Sequence, residues 1–269
     1  MKLSFSTVGC PNWSWADIVA SAADLGYAGV ELRGVGDDLF RPDARVFQPE
    51  SVEKTRAELE RHNLQIVCLA SDVLLHDPAQ DCAATLRRYL ALARGVGAPG
   101  IRVLGDNWGE PGPGVDAALV ERRLRELAPM AQDAGVQLWV ETNGVWADTL
   151  KLKNLLRAVN SPAVGVVWDI HHPYRYFDES PAATAANIGQ YVRHVHVKDS
   201  VRGPDGKVIY KMLGYGDLPI PDCLRELKSL GYDGCLSMEW VKRWNRDLED
   251  AGVVFPHFVY QVRRTLASL

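Results

Sequence analysis

The chain has 269 residues, 47% of them hydrophobic and 24% charged, with a formal net charge of −4. That length suits one (β/α)8 barrel of about 250 residues, and no apolar run approaches the roughly 20 residues needed to cross a bilayer. The mild negative charge gives no electrostatic reason for a nucleic-acid partner, so the composition points to a soluble globular protein, without a membrane partner, that handles small molecules.

In chain order, residues 3–8 read as a first strand, 9–12 as a loop and 14–25 as a helix. A glycine turn at 26–29 leads to a short strand at 30–33, a long loop at 34–48 and a helix at 49–63. Strand 65–70 precedes helix 79–96, which Gly97-Ala98-Pro99-Gly100 stops. Strand 101–104, a Gly/Pro-rich loop at 105–114 and helix 115–134 follow. The run Glu121-Arg122-Arg123-Leu124-Arg125-Glu126 reads as a solvated helix face. Then come strand 138–143 and helix 150–159, strand 164–169 and helix 181–190, strand 192–199 and helix 219–230, and strand 235–239 with a closing helix at 248–269. About eight β-then-α units with short joints predict a closed parallel barrel forming a single domain over 1–269, and no G-x-G-x-x-G follows the first strand as a doubly wound nucleotide fold would require.

Cys10, Cys68, Cys82, Cys223 and Cys235 form no C-x-x-C pair, which predicts reduced packing thiols rather than disulfides or a thiolate zinc cage. The N-terminus accumulates no signal-like apolar core, which predicts a cytoplasmic location. The sequence leaves formation of a homo-oligomer open.

The stretch Val192-Arg193-His194-Val195-His196-Val197-Lys198-Asp199 concentrates the chemistry. Strand side chains alternate, so His194 and His196 share one face and Val195 and Val197 the other. Three other strand-like runs end in acids, at Glu141, Asp169 and Glu239. In a barrel of this kind the carboxyl ends of all strands meet on one face, which makes Glu141, Asp169, His196 and Glu239 neighbours. Pairing with Arg102, Lys198 or Arg243 would account for each acid alone; three carboxylates converging together call for a divalent cation. Three oxygen donors and one imidazole suit Mn²⁺ best, with Mg²⁺, Co²⁺ or Zn²⁺ also acceptable.

The pattern resembles the xylose-isomerase-like sugar phosphate isomerase/epimerase superfamily of TIM barrels. The resemblance runs through Gly29-Val30-Glu31-Leu32-Arg33, Glu141-Thr142-Asn143, Trp168-Asp169 with His172, His194-Val195-His196-Val197-Lys198-Asp199, Gly214-Tyr215-Gly216-Asp217-Leu218-Pro219 and Met238-Glu239-Trp240. It implies that Glu141, Asp169, His196 and Glu239 hold one metal ion, with His194 in a wall or supporting position. It implies that Glu141 and Glu239 exchange a proton with the substrate as general base and general acid, through an enediolate that the metal stabilises. By similarity to the ketose epimerases, His172 and Arg202 hold substrate, although Arg202-Gly203-Pro204-Asp205-Gly206-Lys207 also reads as a hairpin turn. Those epimerases carry a further glutamate six residues past the strand-five ligand, where this chain has Ala147.

The function expected is metal-dependent isomerisation or epimerisation of a small sugar, sugar phosphate or polyol derivative. A dehydratase of an inosose or dehydroshikimate would use the same residues. A three-zinc endonuclease needs more histidines than the seven present, and a non-catalytic sugar-binding barrel would not need the acid pair. Trp13, Trp108, Trp146, Trp168, Trp240 and Trp244 fall at or beyond strand ends, where flat rings can pack on the C–H face of a sugar or lid the core; Trp15 and Trp139 read as packing.

Overall fold

Eight parallel strands close on themselves: β1 (Lys2–Ser6), β2 (Gly29–Leu32), β3 (Gln65–Leu74), β4 (Gly100–Leu104), β5 (Gln137–Glu141), β6 (Val164–Asp169), β7 (Val192–Val197) and β8 (Cys235–Met238). Each pairs with its sequence neighbours, and the ring shuts where β1 pairs with both β2 and β8. The computed structural model describes residues 1–36, 38–39, 44–107 and 109–269. Between the strands run α1 (Trp15–Asp24), α2 (Pro49–Arg61), α3 (Cys82–Val96), α4 (Ala117–Asp133), α5 (Thr149–Val159), α6 (Pro181–Ile188) and α7 (Ile220–Ser229), with α8 (Ala251–Ala267) after β8. Among the described residues no helix is long and apolar enough to cross a membrane.

Five of the eight helices named begin where the sequence supplies a side-chain acceptor for their unpaired N–H groups. Ser14, Asp81, Asp116, Asp148 and Ser180 each accept a backbone N–H of the following turn, and Ser14 with Asp17 completes a reciprocal capping box. At the other end of α3, Gly97 adopts φ +72°, a left-handed conformation that lets the chain turn into β4.

Alternation along the strands separates two environments. Val166, Trp168, Val195, Val197, Leu236 and Met238 join the large apolar core that the helices cover. The opposite face of the same strands carries Asp169, His194, His196 and Ser237, all buried, so the barrel interior is lined with polar groups. A smaller apolar cluster of Cys68, Trp139, Val167 and Cys235 accompanies them.

The predicted order of elements holds, with boundary shifts that have local causes. Strand 65–70 continues to Leu74 because the register slips after Ala70, Ser71 Oγ donates to the Arg102 carbonyl at 2.6 Å, and pairing with β4 resumes at Leu74. A short helix, His171–Phe177, follows β6 where the sequence pattern predicts none. The Arg202–Lys207 turn lies in an antiparallel ribbon of Asp199–Arg202 with Val208–Lys211, placed after β7.

Closure of the last helix onto the first strand is aromatic. Phe255 stacks on Phe5 with ring centroids 4.2 Å apart, Tyr27 meets Phe5 edge-on at 5.0 Å, and the Tyr27 hydroxyl donates to the Phe255 carbonyl at 2.8 Å. Phe255 is fully buried, so Phe255→Ala is expected to lower unfolding stability by about 3–5 kcal/mol through lost contact and a residual cavity. Denaturant unfolding measures this directly; a change below about 1 kcal/mol would contradict the packing described.

Candidate metal centre

The ends of β5, β6, β7 and β8 bring Glu141, Asp169, His196 and Glu239 together. One ligand-type atom from each lies within 4.8 Å of the others. Four donor atoms this close together could hold one divalent cation. His196 Nδ1 is 3.5 Å from Glu141 Oε1, 3.5 Å from Glu239 Oε1 and 3.9 Å from Asp169 Oδ2. That nitrogen is buried and has no hydrogen-bond partner. A buried polar atom without a partner is costly, and a cation at this point would supply one.

Two side chains whose sequence context suggests only ordinary ion pairing sit inside this cluster. Arg102, from β4, places Nε 3.2 Å from Glu141 Oε2, with both side chains buried. Lys198, just past β7, is buried and its Nζ contacts both Asp169 Oδ2 and Glu239 Oε2. Repulsion between carboxylates about 4 Å apart is roughly 4 kcal/mol per pair at an effective dielectric of 20, so three of them do not gather without compensation. Arg102 and Lys198 supply two positive charges against the three negative ones, and a protonated His196, which also meets the buried Glu31, is the further cation of the metal-free cluster.

The ionisation of the cluster follows from that balance. Burial pushes the Glu141 carboxyl up, but the Arg102 guanidinium and His196 outweigh it and hold the group well below the usual carboxylate range. Burial also opposes a charge on Lys198, yet Asp169 and Glu239 keep its pKa well above that of an ordinary lysine. His196 behaves alike: burial disfavours its charge, and Glu31 and Glu239 raise its pKa well above the imidazole value in the metal-free cluster. A cation bound through this ring would have to displace its proton.

Neighbouring groups fix these side chains in place. The Thr142 hydroxyl donates to the Asp169 carbonyl at 3.1 Å and accepts the Asp169 N–H at 2.9 Å, locking the ends of β5 and β6 together. Asp169 Oδ1 accepts the His171 N–H at 2.9 Å. His172 is buried, lies 2.9 Å through Nδ1 from the Thr142 carbonyl, and its Nδ1 is 3.6 Å from Asp169 Oδ2. Burial and Lys198 lower its pKa despite the Asp169 charge, so it is a neutral ring beside the ligands. Its Nε2 edge faces Gly109, where a Cβ would stand 2.9 Å away.

The other expected contacts are placed differently. Arg202 stands on the ribbon and donates to the Gly206 carbonyl at 3.1 Å and to the Arg175 carbonyl. Trp13 is half-buried, edge-on to Phe5 and Phe255. Trp108 lies outside the described residues. Trp146, Trp168 and Trp240 are core residues, with exposures of 3% or less, rather than walls open to a ligand, whereas Trp244 is exposed. For Trp168 and Trp240 strand alternation is the cause: each follows or precedes an inward acid and so points to the opposite face. The N–H groups of Gly214 and Gly216 donate to Asp199 Oδ2 at 2.9 Å, so this glycine turn is committed to holding Asp199. Ala147 is fully buried.

The family model described as "xylose isomerase-like TIM barrel" matches residues 19–253. Fructoselysine 3-epimerase of Escherichia coli O157:H7 is 22% identical over 263 residues, covering 90% of each chain. An uncharacterized protein of Methanocaldococcus jannaschii is 28% identical over 139 residues, and the match spans 48% of this chain and 43% of that relative's length. Among solved structures, the probable 3-DHS dehydratase AsbF of Bacillus anthracis superposes with a TM-score of 0.79 at 18% identity, covering 98% of this chain and 99% of that one. The IolI protein with a bound zinc atom superposes with a TM-score of 0.78 at 15% identity, over 100% and 97%. At these identities the structural likenesses establish the shared fold.

Proposed function

The chain belongs to the xylose isomerase-like TIM-barrel family, and within it we propose that this protein is a divalent-metal-dependent isomerase or epimerase of a small sugar, sugar phosphate or polyol derivative. One observation carries the reading: four ligand atoms from four strand ends converge around a buried His196 Nδ1 that has no other partner. Glu141, Asp169, His196 and Glu239 would hold one ion, with Mn²⁺ the best match to three carboxylate oxygens and one imidazole. The bound zinc atom of the similarly folded IolI supports metal binding by a barrel of this fold. The epimerase relative supports the reaction class.

A bound divalent cation polarises a ketose carbonyl and the adjoining hydroxyl, which makes the C–H beside them more acidic. Glu141 and Glu239 then move the proton. Arg102 keeps Glu141 ionised and fixed, the form a base requires, while lowering its affinity for the proton. Glu239 has the most exposed side chain of the four, at 13%, and so faces the open end where substrate enters. His172, neutral and anchored through Nδ1, would contact a substrate only at the margin that the Gly109 backbone leaves open beside Nε2. Trp13 would wall the same rim. Arg202 reaches a substrate only by releasing the Gly206 and Arg175 carbonyls.

A second reading shares the site: the same proton removal followed by loss of a neighbouring hydroxyl. The buried Ala147, where the ketose epimerases carry a glutamate, favours keeping it. A panel of ketoses, ketose phosphates, inososes and 3-dehydroshikimate, incubated with the Mn²⁺-loaded protein in D₂O, tests both. Deuterium at the carbon beside the carbonyl without an absorbing product identifies isomerase or epimerase chemistry. An absorbing unsaturated ketone identifies the dehydratase. Absence of both across the panel would refute the proposal.

A further inference from the structure

Glu31 is a carboxylate with no solvent exposure, placed by β2 inside the barrel. It does not belong to the four-ligand cluster. A buried carboxylate is destabilising unless charge-assisted hydrogen bonds compensate it. Here the compensation comes from one strand: Glu31 Oε2 lies 2.9 Å from His194 Nε2 and 2.9 Å from His196 Nε2. In the ring order β2 and β7 are separated by β1 and β8, so Glu31 reaches across the barrel to make these bonds.

The consequence falls on His196. A carboxylate oxygen only accepts, so each of the two Nε2 atoms must be the donor. With the proton held on Nε2, the lone pair of a neutral His196 is on Nδ1, the nitrogen that faces Glu141, Asp169 and Glu239. An Nδ1-protonated ring would leave Nε2 as an acceptor against a carboxylate and turn an N–H toward the ion. His194 supplies the second restraint. Its ring packs nearly parallel to Trp139, with centroids 5.9 Å apart, and its Nε2 holds the same oxygen, which limits rotation of the Glu31 carboxylate away from His196.

We propose that Glu31 is a positioning residue that selects the His196 tautomer and aims Nδ1 at the metal, acting through the ring without touching ion or substrate. This rests on the metal reading of the four-residue cluster. Partners of this kind typically tune metal affinity by ten- to a hundredfold. Glu31→Gln retains the size and one acceptor oxygen but removes the charge that holds both N–H groups. Mn²⁺ titration should show its dissociation constant raised about ten- to a hundredfold over wild type. Saturating Mn²⁺ should restore deuterium exchange toward the wild-type rate, because the reacting groups are unchanged. Independently of any variant, two-bond ¹H–¹⁵N spectra of the Zn²⁺-loaded wild-type protein should show His196 protonated at Nε2 and metal-bound at Nδ1. An affinity in Glu31→Gln within twofold of wild type, or a wild-type His196 ring protonated at Nδ1, would overturn the positioning role. A wild-type chain that binds no Mn²⁺ would instead overturn the metal reading itself.

Discussion

Glu239→Gln is expected to reduce solvent-deuterium incorporation beside the substrate carbonyl by about 10²–10⁴-fold, the range typical for loss of a positioned acid–base group. The substitution is nearly isosteric, and Glu239 sits at the open end of the cluster, so the fold has little to lose. The amide still offers an oxygen to the ion, but it neither accepts nor returns a proton. The assay should be run at saturating Mn²⁺, with bound metal measured on the same sample, so that weaker loading is not mistaken for lost chemistry. Exchange at the wild-type rate in fully loaded Glu239→Gln would remove Glu239 from the proton path and leave Glu141 as the sole candidate.

Lys198→Met should split stability from metal binding. Without metal, the Lys198 ammonium bridges Asp169 and Glu239, and its removal leaves two close carboxylates uncompensated. Breaking a buried pair in this way typically destabilises by about 3–5 kcal/mol, which for a chain of this size lowers Tm by on the order of 10 °C in the presence of a chelator. Adding Mn²⁺ should recover most of that loss, since the cation takes over the compensation, and stabilisation grows with the ratio of free metal to Kd. The variant should bind Mn²⁺ more tightly than wild type, because a competing positive charge has gone. A chelator-treated Lys198→Met protein melting within about 2 °C of wild type, or one that Mn²⁺ fails to rescue, would contradict this charge balance.

Lys198 also marks where the sequence stops being informative. The alternation of strands and helices is legible because Gly26, Gly97, Gly135 and Gly231, with capping residues such as Ser14 and Asp148, punctuate it locally. The convergence of Glu141, Asp169, His196 and Glu239 is legible because acids and histidines at the ends of otherwise apolar strands are costly to bury alone, and barrel topology brings strand ends together. Arg102, Lys198 and Glu31 acquire their roles only in three dimensions, because their meaning depends on which charge lies across the barrel. A strand-borne arginine or lysine has the same appearance whether it faces solvent or Glu141. Burial of Trp168 and Trp240 is in principle readable, since each adjoins an inward acid and must point the other way. Trp13 and Arg202 depend on loop and ribbon geometry that carries no simple periodicity. The short His171–Phe177 helix falls below the length at which an amphipathic pattern is recognisable.

The central claim is that Glu141, Asp169, His196 and Glu239 share one cation. Anomalous diffraction from crystals of the full chain soaked in Mn²⁺ tests it most directly. One strong peak is expected, within coordination distance of a carboxylate oxygen from each acid and of His196 Nδ1. A peak elsewhere, or none among these four side chains in crystals grown with saturating Mn²⁺, would contradict it.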